Sequence, residues 1–192
     1  MIAENHRGAL FVISGPSGVG KGTLASRLCE CLPDVWLSVS MTTRQPRDGE
    51  VDGVQYSFVS TERFCQTIEA DGFIEWAKVH SNYYGTPSAP IETHLAAGED
   101  VVLEIDVQGG LQVRDKFPEA ILIFIAPPDM ETLEKRLRTR ATDSEESIVQ
   151  RLADAHSELQ TAAQYDVTIV NDDLERTTKE LVEVVKCRAG RD

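Results

Sequence analysis

The segment that most constrains the fold is a glycine-rich turn, GPSGVGKGT at 15–23, between an apolar run and a helical pattern. The apolar run at 9–13 has the length and composition of a buried strand, and residues 24–28 have helical spacing. Glycines let successive backbone N–H groups converge on phosphate oxygens, and the dipole of the following helix favours negative charge there. Lys21 adds a cation that can accompany a phosphoryl group, so the segment predicts a phosphate-binding loop (P-loop) and a nucleotide site. The predicted nucleotide contacts are Gly15, Pro16, Ser17, Gly18, Val19, Gly20, Lys21, Gly22 and Thr23.

One position departs from the usual loop. Gly22 follows the lysine directly, where a serine or threonine commonly ligates Mg²⁺. Glycine has no hydroxyl group, so phosphates and waters are expected to hold the ion. We predict no direct protein ligand for Mg²⁺, which would lie near Thr23 and Asp106 and contact them through water.

Composition excludes several classes of protein. The formal net charge of −13 argues against a general binder of nucleic acids or anionic membranes. Basic residues that bind phosphate must therefore be concentrated locally. The first residues do not have the form of a signal peptide, no stretch is long enough to span a bilayer, and the four cysteines lack zinc-like spacing. We predict a cytoplasmic protein with reduced thiols and without nucleic-acid or membrane partners.

Apolar runs alternate with helical patterns along the chain. This alternation predicts an α/β fold, a doubly wound parallel sheet flanked by helices. The run at 120–126 is nearly continuous, as expected of a strand that is buried on both faces. The core strands are expected at 9–13, 35–40, 101–106, 120–126 and 167–170.

Two smaller units interrupt this pattern. Residues 36–90 predict a mostly β lobe inserted into the P-loop core, which comprises 1–35 and 91–192. Residues 136–151 predict a small lid, because arginines precede and follow a polar joint there. Within the lobe we expect strands at 54–59 and 73–79, a helix at 61–70, an irregular segment at 41–50 and a turn-rich loop at 82–87.

A second set of polar residues is suited to an acceptor that carries phosphate. Arg44 and Arg47 lie in an extended loop, where both guanidinium groups could reach one phosphate, although solvated arginines are the alternative. Glu75, Glu104 and Asp106 interrupt otherwise apolar strands. Guanine offers two donors to such carboxylates, whereas adenine has no proton at N1 and would leave a buried acid unpaired. An acid at a strand end is also where P-loop enzymes support Mg²⁺.

The remaining candidates are aromatic residues and lid arginines. Tyr56 and Tyr84 could close over a phosphate or a base, or simply pack. Arg136 and Arg140 share a helix face if the helix persists that far, and Arg151 lies beyond the joint. Such a segment, closing on phosphates, would neutralise developing charge and exclude water. A solvated helix surface is the alternative.

Seven ordered stretches together resemble the guanylate kinases over nearly the whole chain. They are GPSGVGKGT at 15–23, SVSMTTRQPRDGE at 38–50, FIEW at 73–76, NYYGT at 82–86, LEIDVQG at 103–109, RLRTRATDSEES at 136–147 and IVNDD at 169–173. The resemblance implies transfer of the ATP γ-phosphoryl group to GMP, and to dGMP, with Mg²⁺. It implies ATP and GMP as partners and leaves a homodimer open.

The resemblance also implies residue roles. The guanine contacts would be Ser40, Glu75, Thr86 and Asp106, with Glu104, where the family usually has aspartate, also on the GMP side. The GMP phosphate would be held by Arg44, Arg47, Tyr56 and Tyr84. The catalytic set would be Lys21, Arg44, Arg136, Arg140 and Arg151, and Asn171 would lie near adenine.

Two other functions stay open at this stage. One is a different phosphotransferase of the same architecture, such as a ribose 1,5-bisphosphate kinase or another nucleoside monophosphate kinase. The other is a guanylate-kinase-like interaction domain without activity, as found in scaffold proteins. Lys21 and the arginines favour an enzyme, because such interaction domains typically have degraded phosphate loops.

Overall fold

The computed structural model describes residues 6–79, 81–139 and 144–190. In chain order its strands are β1 (Leu10–Ser14), β2 (Val35–Leu37), β3 (Met41–Thr42), β4 (Ser57–Phe58), β5 (Phe73–Val79), β6 (Asn82–Pro87), β7 (Asp100–Glu104), β8 (Ile121–Ala126) and β9 (Val167–Val170). Its helices are α1 (Lys21–Cys31), α2 (Thr61–Glu69), α3 (Ser88–Ala96), α4 (Val107–Lys116), α5 (Met130–Thr139), α6 (Glu145–Gln160) and α7 (Leu174–Arg188), and a 3₁₀ turn, Thr161–Gln164, follows α6.

The first sheet has the strand order β2-β7-β1-β8-β9, and each neighbouring pair is parallel. This arrangement confirms the predicted α/β fold with a parallel sheet. The central strand β1 is buried along its whole length, as its apolar composition requires. Ligands of such sheets bind beyond the carboxyl ends of the strands, where neighbouring connections diverge, and the P-loop leaves β1 at this edge.

Helices cover both faces of the first sheet because successive residues of β1 point to opposite sides. Phe11 and Ile13 join a core on one face with residues of α1 and α7, such as Leu28 and Leu181. Leu10 and Val12 join a second core on the other face, which includes residues of α3 and α4. The two buried faces fix β1, and therefore the start of the P-loop, in the middle of the molecule.

The second sheet has the order β4-β3-β6-β5 and mixes one parallel pair with two antiparallel pairs. Helix α2 packs against it through Phe64, which is fully buried. The Phe64 ring lies 4.4 Å from the Phe73 ring and 5.4 Å from the Tyr83 ring, measured between centroids. This aromatic cluster ties the helix to the two longest strands of the sheet.

The second sheet differs from the expectation at three places. Residues 82–87 were expected to form a loop because they contain Asn, Gly and Pro, but they form strand β6, paired with both β3 and β5. Glycine is needed at position 85 of this strand because the paired strand lies close by. A Cβ atom there would clash with Trp76 Cβ at 2.8 Å. Met41–Thr42 forms a short strand inside the segment expected to be irregular, and the strand expected at 54–59 is reduced to Ser57–Phe58. Pairing with β6 and β3 determines these conformations, and local composition alone does not predict that pairing.

Replacing Phe64 with alanine should destabilise the second sheet. The change removes a fully buried ring and leaves a cavity against two aromatic neighbours, so we expect a loss of about 3–5 kcal/mol in the free energy of unfolding. Urea unfolding measures it. The control is Val54→Ala, whose side chain is 60% exposed and should change stability by no more than about 0.5 kcal/mol. Equal effects of the two changes would contradict the assignment of Phe64 to the core.

Candidate active site

The P-loop makes the turn from strand β1 to helix α1 through glycines with positive φ. The angles are +146° at Gly15, +86° at Gly18 and +102° at Gly20, a region that side chains disfavour. At Gly15 a Cβ atom would also lie 2.2 Å from the Ile125 carbonyl oxygen of β8. Gly20 is the N-cap residue of α1 and supplies no side-chain cap, so the N–H groups of the first turn face the loop. The strand, turn and helix predicted from the sequence are therefore present.

Asn171, predicted to lie near adenine, and the predicted catalytic residues Arg136 and Arg151 contact the P-loop directly. Asn171 is buried, and its Nδ2 donates to the Val19 carbonyl oxygen at 2.7 Å. Arg136 Nη2 donates to the Asn171 carbonyl oxygen at 2.9 Å and Nη1 to the Val19 oxygen at 3.4 Å. Arg151 Nη1 donates to Ser17 Oγ at 2.7 Å. The loop is thus held by residues from α5, from α6 and from the segment after β9.

The Lys21 side chain curls over the P-loop. Its Nζ donates to the carbonyl oxygens of Gly15 and Pro16, at 2.7 and 3.1 Å. This places the ammonium group at the carboxyl edge of the first sheet, where a phosphate chain bound by the loop would meet it.

A cavity of about 310 Å³, here called the central cavity, lies between the P-loop and the second sheet. It brings together residues that are far apart in sequence, from the P-loop, from the end of β7 and from strands β5 and β6. The predicted site residues that line it are Gly15, Ser17, Lys21, Ser40, Tyr56, Glu75, Tyr84, Glu104 and Asp106. One cavity is therefore lined by both the lysine expected to bind phosphate and the carboxylates expected to select the base.

Glu75 is the most buried acid of this cavity, with 7% of its surface exposed. Its Oε1 accepts a hydrogen bond from Thr86 Oγ1 at 2.5 Å, and Thr86 Oγ1 lies 2.9 Å from Ser40 Oγ. Burial raises the pKa of Glu75 from 4.5 to about 7, with a further rise from the Asp106 charge and an opposing effect of the Thr86 hydrogen bond. The three predicted guanine contacts Ser40, Thr86 and Glu75 thus form one hydrogen-bonded chain.

The acid that ends strand β7 and the acid two residues after it are held differently. Asp106 is the N-cap residue of α4, and its Oδ1 accepts from the Gly109 backbone N–H at 2.7 Å. Glu104 lies beside the start of α1, since a Cβ atom at Gly22 would be 3.7 Å from Glu104 Oε2. Asp106 is therefore fixed by its own helix, whereas Glu104 faces the first turn of the P-loop helix.

Arg44 is engaged by a carboxylate that sequence reasoning missed. Its Nη1 and Nη2 donate to the two oxygens of Glu50, at 2.9 and 2.8 Å. Its guanidinium carbon lies 5.6 Å from the centre of the Tyr56 ring, which contacts Tyr84 edge-on at 6.0 Å between centroids. The Glu50 hydrogen bonds raise the pKa of Arg44. Arg47 is exposed on the same loop, and its backbone N–H donates to Glu50 Oε2 at 2.7 Å.

Glu158 on α6 also lines the central cavity and was not among the predicted residues. Burial raises the pKa of Glu158, the charges of Asp106 and Asp154 add to the rise, and Lys21 opposes it. Glu158 follows Arg151 by seven residues on the same helix, so the two side chains share a face. That spacing is the signal that could have identified Glu158 from the sequence.

Two further predicted residues, Thr23 and Arg136, are described by the structure but do not line the central cavity. Thr23 is exposed on α1, and Arg136 lines a second cavity of about 410 Å³ beside Gly18. Arg138, which lies between two of the predicted lid arginines in the sequence, pairs with Glu134 and Glu145. Arg140 lies outside the described residues.

Nearly the whole chain matches a known family. A family model described as guanylate kinase matches residues 7–188. A guanylate kinase of Caldanaerobacter subterraneus subsp. tengcongensis is 50% identical over 188 residues, covering 96% of this chain and 91% of the relative. A guanylate kinase of Synechococcus sp. (strain CC9902) is 52% identical over 176 residues, covering 92% of this chain and 94% of the relative.

A solved structure is similar as well. The crystal structure of guanylate kinase from Anaplasma phagocytophilum superimposes with a TM-score of 0.79 at 32% identity, covering 96% of this chain and 88% of that one. The similarity therefore extends over both sheets and the P-loop. This chain belongs to the guanylate kinase family.

Proposed function

We propose that this chain transfers the γ-phosphoryl group of ATP to GMP, and also to dGMP, in purine nucleotide metabolism. The observation that carries the proposal is the central cavity of about 310 Å³, which is lined by both Lys21 of the P-loop and Glu75 of the second sheet. One site for a phosphate chain and one for a purine with two donors thus open into the same space. The family membership established above supports the same reaction.

The two substrates would bind to different parts of the chain. We assign ATP to the P-loop core at 1–35 and 91–192, GMP to the inserted lobe at 36–90, and closure over both to a lid at about 136–151. The strands of the second sheet lie between Met41 and Pro87, which supports the inserted lobe, although Val35–Leu37 still pairs with β7 in the first sheet.

Guanine selection would depend on Glu75. An ionised carboxylate accepts both N1–H and the exocyclic amino group, whereas adenine lacks the proton at N1 and would leave a buried acid unpaired. Thr86 donates to the Glu75 carboxyl group and lies within hydrogen-bond distance of Ser40, and Asp106, which lines the same cavity, would provide a second acceptor.

The GMP phosphate would bind near Arg44, Arg47, Tyr56 and Tyr84. Arg44 already presents both arms of its guanidinium group to one anion, Glu50, in the geometry that a phosphate also accepts. A phosphate that binds there would share Arg44 with Glu50 or replace it. The tyrosine hydroxyl groups would add two further donors.

The chemistry requires no covalent intermediate and no general base. The phosphate of GMP is already anionic at neutral pH, so one of its oxygens attacks the γ-phosphorus of ATP as the bond to the β-phosphate oxygen breaks. The protein has to hold two mutually repelling anions in line and stabilise the charge that develops. Lys21, Arg136, Arg140 and Arg151 would supply that positive charge around the transferred group.

Mg²⁺ fits the oxygen-rich side of this site. The residues described by the structure hold no group of three His, Cys, Asp or Glu side chains close enough to bind a metal. Phosphate oxygens and water would instead bind the ion directly, as is common for Mg²⁺, and the Thr23 hydroxyl group and the Asp106 carboxylate would contact it through water. When bound, the ion would neutralise charge on the phosphates of ATP.

We also propose a cytoplasmic location. Cys29, Cys31, Cys65 and Cys187 are free thiols, which is typical of a reducing compartment. None of the helices in the described ranges is long and apolar enough to cross a bilayer.

An acceptor panel tests the proposed function. Purified protein with ATP and Mg²⁺ would be offered GMP, dGMP, AMP, UMP and ribose 1,5-bisphosphate, and ADP formation would be followed. GMP should have the highest kcat/KM. A better acceptor among the other four would indicate a different phosphotransferase, and a folded protein with no activity would indicate an interaction domain.

Replacing Lys21 with methionine should abolish turnover while the fold is retained. The change removes the cation beside the transferred phosphoryl group, so we expect kcat to fall at least about 100-fold. Lys179→Met, at an exposed position on α7, serves as the matched control and should keep full activity. Circular dichroism establishes that both variants fold, and undiminished activity of the Lys21 variant would remove this lysine from the mechanism.

Replacing Glu75 with glutamine should remove a pH dependence of stability. Because the folded pKa is raised from 4.5 to about 7, the unfolded chain ionises first, and the wild type loses stability relative to the variant as pH rises through this range. Below pH 4.5 and above pH 7 the difference should be constant, with a total change of about 3 kcal/mol between these limits. Urea unfolding without nucleotide at pH 4 to 8 measures it. If the unfolding free energies of the wild type and the variant differ by the same amount at every pH, the buried environment of Glu75 is contradicted.

A further inference from the structure

Helix α4 of the core lies directly against strand β5, which carries Glu75. Two side chains of the helix bond to the strand on either side of Glu75. The Trp76 backbone N–H donates to Gln112 Oε1 at 3.2 Å, and Lys116 Nζ donates to the Phe73 carbonyl oxygen at 2.7 Å. Gly109 precedes Gln112 by three residues and Lys116 by seven, so all three share one helix face.

Gly109 meets the end of the Glu75 side chain. A Cβ atom at position 109 would lie 2.9 Å from Glu75 Oε2 and 3.3 Å from Glu75 Cδ. Its third neighbour would be the flexible end of Ile105, Cδ1, also at 3.3 Å. The backbone at Gly109 is helical and outside the left-handed region, so its conformation does not demand glycine. Glycine is required at this position because a side chain would not fit beside the end of Glu75.

The two oxygens of Glu75 are therefore located in different ways. Oε1 accepts the hydrogen bond from Thr86 at 2.5 Å, and Oε2 lies against the bare Cα of Gly109. A methyl group at 109 would push Oε2 away, and the carboxyl group would have to turn or leave Thr86. Because Glu75 is a flexible side chain at the edge of a cavity, this displacement is compatible with an intact fold.

We propose that Gly109 is a positioning residue for base recognition: its missing side chain forms the seat that holds the Glu75 carboxylate where it accepts both donors of guanine. The inference rests on the proposed role of Glu75 in binding GMP. It adds a specificity determinant on the core helix α4, outside the lobe that carries Glu75.

The neighbouring glycine shows how a purely structural requirement differs. A Cβ atom at Gly110 would lie 2.4 Å from Tyr165 Oη and 2.9 Å from Ser14 Oγ. Those groups belong to the packing of α4 on the core, where Tyr165 Oη also donates to the Val107 carbonyl oxygen at 3.3 Å. Gly110 thus serves helix packing, whereas Gly109 contacts a residue of the site.

The test compares Gly109→Ala with the wild type in steady-state kinetics. We expect KM for GMP to rise at least about tenfold, the scale of one lost base contact, with kcat within about threefold and KM for ATP unchanged. The preference for GMP over inosine monophosphate, which lacks the exocyclic amino group, should fall as well. The thermal midpoint should stay equal or rise, since alanine favours a helix more than glycine does. A merely structural role would lower the midpoint and leave the preference intact.

The matched control is Gln108→Ala on the same turn of α4. Gln108 is exposed, and the change also introduces alanine into the helix without adding an atom beside Glu75. KM for GMP and the preference over inosine monophosphate should stay within about twofold of the wild type.

Glu75 variants separate the possible failures. In the Gly109→Ala background, Glu75→Asp shortens the acid by one methylene and should cost less in kcat/KM than it costs in the wild type. If E75Q raises KM for GMP but folded Gly109→Ala leaves it within twofold of the wild type, the positioning role of Gly109 is wrong and the proposed function is unaffected. If E75Q itself leaves GMP use unchanged, the assignment of Glu75 fails first. A Gly109→Ala protein that does not fold, even together with Glu75→Asp, would overturn the inference, because the clash would then lie in the core.

Discussion

Charge repulsion is the constraint on which the site depends. Two phosphorylated nucleotides must come into line on a chain with a formal net charge of −13. Positive charge therefore has to be concentrated where the phosphates meet, and backbone N–H groups at a helix start have to supply the rest. The buried central strand β1 makes this possible, because it fixes the P-loop at the carboxyl edge of the first sheet while Arg136 and Arg151 reach the loop from α5 and α6.

Much of this arrangement could be predicted from the sequence. The P-loop was predictable because its glycines, its lysine and the flanking apolar run each have a physical reason that is local in the chain. Strand β6 was not, because Asn82, Gly85 and Pro87 favour a turn until β3 and β5 pair with them. Glu50 could not be predicted as the partner of Arg44, since that pairing depends on the path of an irregular loop. Gly109 becomes visible as a neighbour of the site only after α4 is packed in place, whereas Glu158 could have been identified from its spacing to Arg151 on α6.

Glu75 shows how recognition and stability oppose one another in this fold. A buried acid with few donors around it is unfavourable in the folded state, and its raised pKa expresses that cost. A bound guanine base would provide the additional hydrogen-bond donors that the protein does not supply. In the proposed role of Glu75, an adenine base would be a poor substitute, because it lacks the N1 proton and, among the residues that the structure describes, Thr86 alone would donate to the carboxylate.

The Arg44–Glu50 pair has a consequence for the end of the catalytic cycle. Because Glu50 offers the guanidinium group an internal anion of similar shape, departure of a phosphorylated product would not strand a desolvated cation. If the acceptor phosphate binds to Arg44 as proposed, each binding and release would exchange one anion for another, which would lower the affinity of Arg44 for its ligand. An enzyme that must let go of a more highly charged product than the acceptor it captured gains from such an internal competitor, since release would otherwise limit turnover.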